Sequence, residues 1–439
     1  MAKLSGFPEF LPAGRNAELI VLDHLRRVFE LHGFASIETR AAEPLEELLR
    51  KGEIDKEVYV LRRLQADDNA SDSGMGLHYD LTVPFARYVI ENAGKLEFPF
   101  RRYQIQKVWR GERPQEGRFR EFTQADIDIV AKDELPFHFD VEVARVMAEA
   151  LSGLPVPALR MQVNNRKLLE GFYLGLGIED TASVMRIVDK LDKLPGDKIV
   201  ERLVEAGLTV EQGQKCLALA EISAPDASFV DRVRALGVSH ELLNTGLAEL
   251  AEVVEAASGI DGVEIVADLR IARGLDYYTG TVFETQMAGY EHLGSVCSGG
   301  RYDQLASDGK NTYPGVGISL GVSRILVPLI NKGLAADRSV PSAVLVALID
   351  EESRADSNAV AQQLRSRGIP TEVAATAQKF GKQIRYAERR GIPYVWFPAT
   401  AETAHQVKDI RSGDQADAWP EDWAPPARDL HPRIKEQDQ

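Results

Sequence analysis

The stretch from Phe98 to Val130 alternates twice between apolar and polar residues, with a charged interruption between the two runs. Such a pattern predicts two β-strands joined by a long, arginine-rich loop. On the second run Gln124, Asp126 and Asp128 share one face, and the apolar residues between them share the other. A strand of this kind lines either solvent or a polar site. A solvated edge hairpin and a ligand site are therefore both compatible with this stretch taken alone.

Elsewhere the patterns predict strands and helices in several regions. Residues 1–330 carry the strands and amphipathic helices of one large domain, and successive helical segments from 171 to 260 predict an all-helical insertion within it. Residues 341–415 alternate strand and helix, which predicts a small α/β domain. The charged, proline-containing stretch 416–439 predicts a disordered tail.

Composition adds limits on compartment and partners. The chain has 439 residues, of which 44% are hydrophobic and 27% charged, and its net charge is −15. This acidic balance does not exclude RNA, because residues 101–120 hold seven Lys or Arg against two Glu. Cys216 and Cys297 have no metal-ligand spacing and fit a reducing compartment. We expect a cytoplasmic protein without a signal peptide or membrane span.

Three segments carry candidate chemistry. The loop of the hairpin is rich in arginine, which suits phosphate binding. The segment 272–284 combines an arginine, a glycine turn and two adjacent tyrosines, although a structural turn with buried tyrosines is also typical of this pattern. The segment 315–324 has alternating glycines that allow close backbone approach or mark a bulge. No dinucleotide fingerprint, Walker lysine loop, HExxH motif or nucleophile elbow is present in the sequence.

Together these segments resemble a known enzyme class. WRGE at 109–112, RFREF at 118–122 and GVGISLGVSR at 315–324 are similar to motifs 2 and 3 of the class II aminoacyl-tRNA synthetases. HYDLTVPFARY at 78–88, RGLDYYTGTVFE at 273–284 and SGGRYDQL at 298–305 resemble the signatures of the histidyl-tRNA synthetase family. The resemblance runs from about residue 16 to about 415, and ARGLDYYTG is its most specific part.

The resemblance implies a fold, a reaction and a set of partners. The fold is α+β, with the antiparallel-sheet catalytic core of class II synthetases, a helical insertion, and a C-terminal anticodon-binding α/β domain over 341–415. The reaction ligates L-histidine to its tRNA through a histidyl-adenylate. Its substrates are L-histidine, ATP with Mg²⁺, and histidine tRNA. The resemblance also implies a homodimer and no dedicated metal site.

Roles for individual residues also follow from the resemblance alone. The residues that bind the amino acid are Asp80, Leu81, Thr82, Arg110, Gln124, Asp128, Arg273, Tyr277 and Tyr278. Those that bind ATP are Arg110, Glu112, Arg118, Phe122 and Arg324. The catalytic cations are Arg273, Arg110 and Arg118, and the residues at the tRNA acceptor end are Arg113 and Gln115.

One motif departs from the class pattern. Motif 1 normally ends in a proline, whereas here the corresponding place is Thr39-Arg40-Ala41 and the nearest proline is Pro44. Because motif 1 forms the dimer interface of the class, its local geometry is in question. Two alternatives remain: a non-catalytic regulatory subunit of ATP phosphoribosyltransferase, and a different class IIa synthetase. The phosphate arginines, the RGLDYY segment and the C-terminal domain weigh against the first, and the intact RGLDYYTG against the second.

Overall fold

The computed structural model describes residues 4–49, 57–64, 74–272 and 277–435. The chain divides into two compact units, Met1–Pro8 with His24–Pro328, and Glu9–Asp23 with Leu329–Gln439. Among the described helices, none combines the length and the apolar character needed to cross a bilayer.

The helices are, in chain order, α1 (Pro12–Leu31), α2 (Leu45–Leu48), α3 (Thr82–Asn92), α4 (His138–Ser152), α5 (Arg166–Gly175), α6 (Thr181–Val188), α7 (Gly196–Glu205), α8 (Val210–Ala220), α9 (Phe229–Arg234), α10 (Glu241–Ala257), α11 (Val322–Asn331), α12 (Arg354–Ser366) and α13 (Phe380–Arg390). Short 3-10 helices occupy Ala93–Lys95, Asp189–Asp192, Glu291–Leu293 and Ala427–Asp429.

The strands are β1 (Ala35–Ser36), β2 (Ala42–Pro44), β3 (Met75–Leu77), β4 (Phe100–Trp109), β5 (Glu121–Val130), β6 (Leu159–Asn165), β7 (Ser223–Ala224), β8 (Val263–Asp268), β9 (Thr281–Met287), β10 (Cys297–Tyr302), β11 (Gly315–Gly321), β12 (Val344–Val346), β13 (Thr371–Val373), β14 (Tyr394–Phe397), β15 (Gln406–Asp409) and β16 (Gln415–Asp417).

The larger unit is built on a nine-stranded sheet in the order β1-β4-β5-β11-β10-β9-β6-β8-β7. Among its six central strands, from β4 to β6 in this order, every adjacent pair is antiparallel. The strands that flank these six, β1 beside β4 and β8 beside β6, are parallel to them. The predicted hairpin is β4 and β5, which pair from Phe100↔Val130 to Trp109↔Glu121. This antiparallel core confirms the predicted α+β class.

The alternation on β5 places its two kinds of residue on opposite sides of the sheet. Ala125, Ile127 and Ile129 are fully buried, and helix α4 packs against β5 and β11. The polar residues of β5 therefore face the other side. Burying one apolar face fixes the register, because a slip by one residue would exchange the two faces.

Between β6 and β8 the chain forms helices α5 to α10, with β7 as a short strand at the sheet edge. Helices α5 and α10 approach closely at two glycines. A Cβ on Gly171 would lie 2.2 Å from the Leu243 nitrogen, and one on Gly246 would lie 2.2 Å from the Leu168 nitrogen. No side chain fits at either position without moving the backbone.

The smaller unit contains a five-stranded sheet in the order β13-β12-β14-β15-β16. Its first three strands are parallel and the last two antiparallel to their neighbours. Trp396 is fully buried in its core between α12 and the segment after β16. The mixed sheet with two helices agrees with the alternating strand and helix pattern.

The prediction of a disordered tail from residue 416 is wrong for the described part, which ends at residue 435. Strand β16 pairs with β15, and Asp429 is 3% exposed. Arg411 forms an ion pair with Asp429 at 2.8 Å, and buried Arg338 donates to the Asp429 carbonyl at 2.8 Å. Two arginines thus anchor a segment whose composition alone indicates disorder.

Candidate functional site

Three strands bring polar residues into register on one face of the large sheet. On β4 and β5, Arg102 pairs with Asp128, Gln104 with Asp126, and Gln106 with Gln124. On β11 the partners of these β5 residues are Gly317, Ser319 and Gly321. The polar side therefore lines a site floor rather than an edge, because β5 lies between two paired strands. The solvated edge hairpin is excluded.

Asp128 is held at the centre of this floor by an ion pair and a hydrogen bond. Arg102, which is fully buried, contacts its Oδ2 at 2.6 Å, and the Tyr302 hydroxyl donates to its Oδ1 at 2.7 Å. Glycine is required opposite it, because a Cβ on Gly317 would lie 2.1 Å from Asp128 Oδ1. A carboxylate can only accept hydrogen bonds, so Asp128 is an acceptor on this face of the sheet.

Tyr277 and Tyr278 lie beside this carboxylate. Their ring centroids are 4.2 Å apart, and a Cβ on Gly300 would come within 2.8 Å of the Tyr278 ring. Burial raises the pKa of Tyr278 well above its ordinary value, and Tyr277 and Asp128 raise it further. Tyr278 is thus a protonated phenol at neutral pH, and its hydroxyl is hydrogen-bonded to Tyr277.

The start of helix α3 adds a second carboxylate. Asp80 is buried, and its Oδ1 accepts from the Val83 amide at 3.1 Å. Leu81 is fully buried just before the helix, and Thr82 is its first residue. Asp80 is also close enough to Asp126 to raise the pKa of that carboxyl.

The predicted ATP residues line a cavity at the β4–β5 loop. Its walls include Arg110, Glu112, Arg118, Phe122 and Arg324, the full set predicted from the motifs. The Arg110 guanidinium lies 5.2 Å from the Phe122 ring centroid, and its Nε donates to the Tyr79 carbonyl at 3.0 Å. The Arg118 side chain is half exposed, and its Nη1 lies 3.7 Å from Glu112 Oε2.

A second cavity of about 510 Å³ adjoins the first. It is lined by Tyr277 and Tyr278, and it shares Arg118, Ser298 and Arg324 with the first cavity. The structure therefore brings the predicted ATP residues and the tyrosines of the predicted amino-acid site to one continuous cleft.

Arg324, on α11, links two segments of the cleft wall through hydrogen bonds. Its Nε donates to the Gly117 carbonyl at 2.8 Å and its Nη1 to the Ser295 carbonyl at 2.6 Å. Gly117 has a φ of 72° and packs against Leu293, where a Cβ would come within 2.8 Å of the Leu293 side chain. The loop between β4 and β5 is thus held against the wall of the cleft.

Other predicted residues lie at the margin or outside the described part. Arg113 and Gln115 are exposed on the loop. Arg273 lies outside the described residues, as does most of the 66–76 loop. Among the described residues, no group of three or more His, Cys, Asp or Glu side chains could hold a metal ion.

Sequence reasoning missed Arg102, Ser319 and Tyr302 as site residues. The alternation on β4 puts Arg102 on the same face as Gln104 and Gln106, so the argument used for β5 applies to β4 as well. To predict that Arg102 lies opposite Asp128, one must know the register of the β4–β5 hairpin. The sequence does not determine this register, because the loop between the two strands is long.

Asp126 is the most deeply placed carboxyl of this floor, at 2% exposure. Burial raises its pKa to about 7, against the opposing effects of Arg102 and of a hydrogen bond from Ser319. With this pKa the Asp126 carboxyl changes charge near neutral pH, whereas the pKa of an aspartate in water is about 3.9.

The ionised Asp126 carboxylate should lower the free energy of unfolding at neutral and alkaline pH. Its pKa is about 7 in the folded protein and about 3.9 in an unfolded chain, so stability falls as pH rises through this window. For Asp126→Asn we expect a gain in unfolding free energy that is near zero at about pH 4 and at most about 4 kcal/mol at about pH 8. Urea denaturation of both proteins at both pH values measures this gain. An equal gain at the two pH values would contradict a raised pKa of Asp126.

The departure in motif 1 is compensated by polar contacts. The Thr39 hydroxyl accepts from Gln104 Nε2 at 2.9 Å, and the Thr39 carbonyl accepts from Gln106 Nε2 at 2.8 Å. Arg40 contacts Glu43 at 3.1 Å. Two glutamines of β4 thus fix this segment where the class pattern places a proline.

Comparison with known proteins decides the family. The family model described as histidyl-tRNA synthetase matches residues 6–325, and the model described as anticodon binding domain matches residues 343–417. The chain belongs to the histidyl-tRNA synthetase family. The match to the anticodon binding domain lies within the unit that contains α12 and α13. Its bounds agree with the domain that the resemblance implies over residues 341–415.

Relatives of the histidyl-tRNA synthetase family match over the whole chain. A histidine–tRNA ligase of Cutibacterium acnes is 60% identical, with 98% of each chain covered. One of Micrococcus luteus is 58% identical, covering 99% of this chain and 98% of the relative. The crystal structure of histidyl-tRNA synthetase from Nostoc sp. PCC 7120 has a TM-score of 0.83 at 34% identity, covering 94% of this chain and 96% of that chain.

Proposed function

We propose that this chain is a histidine–tRNA ligase, which activates L-histidine with ATP and transfers the histidyl group to histidine tRNA. The observation that carries the proposal is the arginine-lined cavity, which reaches Gln124 on the strand that carries Asp128 and adjoins the cavity lined by Tyr277 and Tyr278. The match to histidine–tRNA ligases over 98% of the chain supports it. AMP and pyrophosphate are the other products.

The floor of the cleft suits a neutral imidazole. Such a ring has one N–H donor and one acceptor nitrogen. Asp128 can accept only, and the Tyr278 phenol can donate, so the pair is complementary to the two ring nitrogens. A side chain without these groups would leave buried polar atoms unpaired, which a site of this kind rejects by about 10⁴-fold.

The backbone groups of histidine would then lie toward α3 and the β4–β5 loop. Asp80 and Thr82 would receive the α-ammonium, together with Gln124. Leu81, between Asp80 and Thr82 in the sequence, would close the pocket. Arg273, outside the described residues, would lie near the carboxylate, with Tyr277 beside the ring.

The cavity next to it suits ATP. Arg110 and Arg118 would bind its phosphates, because a guanidinium can donate two parallel hydrogen bonds. Phe122 and Arg324 would stack on the two faces of adenine, with Glu112 at its edge. Mg²⁺ would enter as part of MgATP, held mainly by the phosphates, as is usual for this ion.

The reaction then needs positioning and charge, not a covalent nucleophile. A carboxylate oxygen of histidine attacks the α-phosphorus, and the bond to the bridging oxygen breaks as pyrophosphate leaves. Arg110, Arg118 and Arg273 would neutralise the charge that develops on the α-phosphate. The tRNA 3′-terminal hydroxyl next attacks the carbonyl of the adenylate, and AMP leaves.

Two surfaces would contact the tRNA. Arg113 and Gln115 are exposed on the loop above the cleft and would meet the acceptor end. In the smaller unit, helix α13 exposes Lys382, Arg385 and Arg389, while its Gln383 bonds the Leu348 backbone on the opposite side. A basic helix face attracts phosphate.

Reversing two of these charges should weaken tRNA binding alone. For Lys382→Glu with Arg385→Glu, we expect kcat/KM for tRNA to fall at least about tenfold, with histidine-dependent ATP–pyrophosphate exchange unchanged. Arg428→Glu, at an exposed basic position outside α13, is the matched control. Equal losses in the control and the double variant would contradict an anticodon-binding role for this helix.

We also expect a homodimer in the cytoplasm. The dimer follows from the class resemblance through motif 1, and two buried free cysteines, Cys216 and Cys297, support a reducing compartment. Sedimentation of the purified chain at micromolar concentration tests the dimer.

Transfer to tRNA is tested with labelled histidine. We expect the full chain with ATP and Mg²⁺ to form a base-labile ester between labelled histidine and the 3′ end of histidine tRNA. Formation of adenylate without any ester on tRNA would contradict ligase activity and favour a histidine-sensing paralogue.

A further inference from the structure

Asp126 has no role among the contacts proposed so far, yet its environment is unusual. It lies on β5 between Gln124 and Asp128 and is 2% exposed. Its Oδ1 has no hydrogen-bond partner within the described part of the chain, although Ser319 bonds the carboxylate. An underbonded carboxylate in a protein interior is costly, so its presence calls for a functional reason.

Ser319 connects Asp126 to the proposed amino-acid site. Its Oγ lies 2.9 Å from Gln124 Nε2, which donates to it. A serine hydroxyl has a single hydrogen. Since Gln124 supplies the hydrogen of one bond, the hydrogen of Ser319 is available for the bond to Asp126.

The direction of these hydrogen bonds determines which atom of the Gln124 amide is left without a partner. With its nitrogen committed to Ser319, its Oε1 is left buried and without a partner in the described structure. A carbonyl oxygen attracts an ammonium group, whereas an amide nitrogen repels it. Reversal of the amide would therefore remove one acceptor for the α-ammonium of histidine.

We propose that Asp126 is a positioning residue that orients Ser319, and through it Gln124, so that the Gln124 carbonyl oxygen receives the α-ammonium of histidine. This inference rests on the proposed function and adds to it a residue that touches no substrate. Deleting the carboxylate frees the Ser319 hydrogen to bond Gln124 Oε1, which allows the amide to reverse.

The charges around Asp126 make this orientation depend on pH. Arg102 faces it from β4, Asp128 lies next to it on β5, Asp80 faces it from the start of α3, and the buried Cys297 thiol lies nearby on β10. Burial raises the pKa of Asp126 to about 7. Below this value the protonated carboxyl can donate to Ser319, and the chain can reverse.

The test compares Asp126→Ala, Asp126→Asn and Ser319→Ala in histidine-dependent pyrophosphate exchange at pH 8. For Asp126→Ala and Ser319→Ala we expect the KM for histidine to rise about tenfold, the effect of one hydrogen bond, with kcat and the KM for ATP little changed. Asp126→Asn keeps an acceptor, so it should restore most of the affinity.

Two further readouts separate positioning from a structural role. The variant with both alanines should be no worse than either single variant, because both act through one chain. The rise in KM between pH 8 and pH 6 should be smaller in Asp126→Asn than in the unchanged protein, and this comparison cancels the titration of histidine itself.

Asp140→Asn is the matched control. Asp140 is also a buried aspartate, paired with Arg301 at 2.8 Å on the α4 side of the sheet. Its substitution should leave the KM for histidine unchanged. Additive effects of the two alanines, or a normal KM in Asp126→Ala, would overturn the inference. Lack of histidine-dependent exchange in the unchanged protein would instead overturn the proposed function.

Discussion

Arg110→Ala should lower the rate of histidyl-adenylate formation by about a thousandfold, as expected for loss of one preorganised charge in a closed site. The Arg110 guanidinium is fixed by the Tyr79 carbonyl and lies over Phe122. Its position is therefore set before ATP binds, so no reorganisation is needed when charge develops on the α-phosphate. A single-turnover measurement with saturating histidine and ATP isolates this step.

Two further variants define the role of Arg110. Arg110→Lys keeps the charge but loses the planar pair of donors, so it should recover only a small part of the rate. Arg101→Ala removes an arginine of β4 whose partner is Glu142, away from the cleft, and should retain the normal rate. A rate within about threefold of normal in Arg110→Ala would show that Arg110 has been given the wrong role.

Asp128→Ala should have two large effects at once. First, kcat/KM for histidine should fall by at least about a thousandfold, because the ring N–H loses its acceptor in a buried site. Second, Arg102, which is fully buried, would lose its partner at 2.6 Å. Leaving such a charge unpaired costs about 3–5 kcal/mol of stability.

Asp128→Asn separates these effects. It preserves the shape of the side chain and an oxygen for Tyr302 or Arg102, so the fold should be affected less than in the alanine variant. The loss of kcat/KM for histidine should persist at about a hundredfold or more, because the neutral amide accepts more weakly. Urea denaturation and pyrophosphate exchange on the same samples test both statements. Normal kcat/KM in the asparagine variant would refute the assignment of Asp128 to the imidazole.

Much of the floor of the cleft could be predicted from local pattern. The two-residue period of a strand is enough to place Gln124 and Asp128 on one face. The same period on β4 contains Arg102, but its partner depends on the register across a long loop. Local periodicity determines the face of a residue, and only the tertiary pairing determines its neighbour.

The C-terminal segment shows where a prediction from composition fails. Residues 416–435 are rich in charge and proline, which is the composition of disordered segments. They are ordered because Arg411 and Arg338 both bind Asp429, and both arginines lie far from it in sequence. Composition cannot report such contacts, since they depend on the tertiary fold.

The burial of Asp126 could not be predicted from the sequence either. The sequence predicts that Asp126 shares a strand face with Gln124 and Asp128. Its burial and its bond to Ser319, however, depend on β11 lying beside β5. The glycines of β11 allow this close approach, as the position of Gly317 beside Asp128 illustrates.

The cleft should activate histidine, and histidine-dependent ATP–pyrophosphate exchange tests this activity most directly. The purified full-length chain, with ATP, Mg²⁺ and labelled pyrophosphate, should incorporate label into ATP with histidine and not with the other standard amino acids. Exchange with proline or threonine in place of histidine would contradict the substrate assignment. Absence of exchange with every amino acid would contradict the account as a whole.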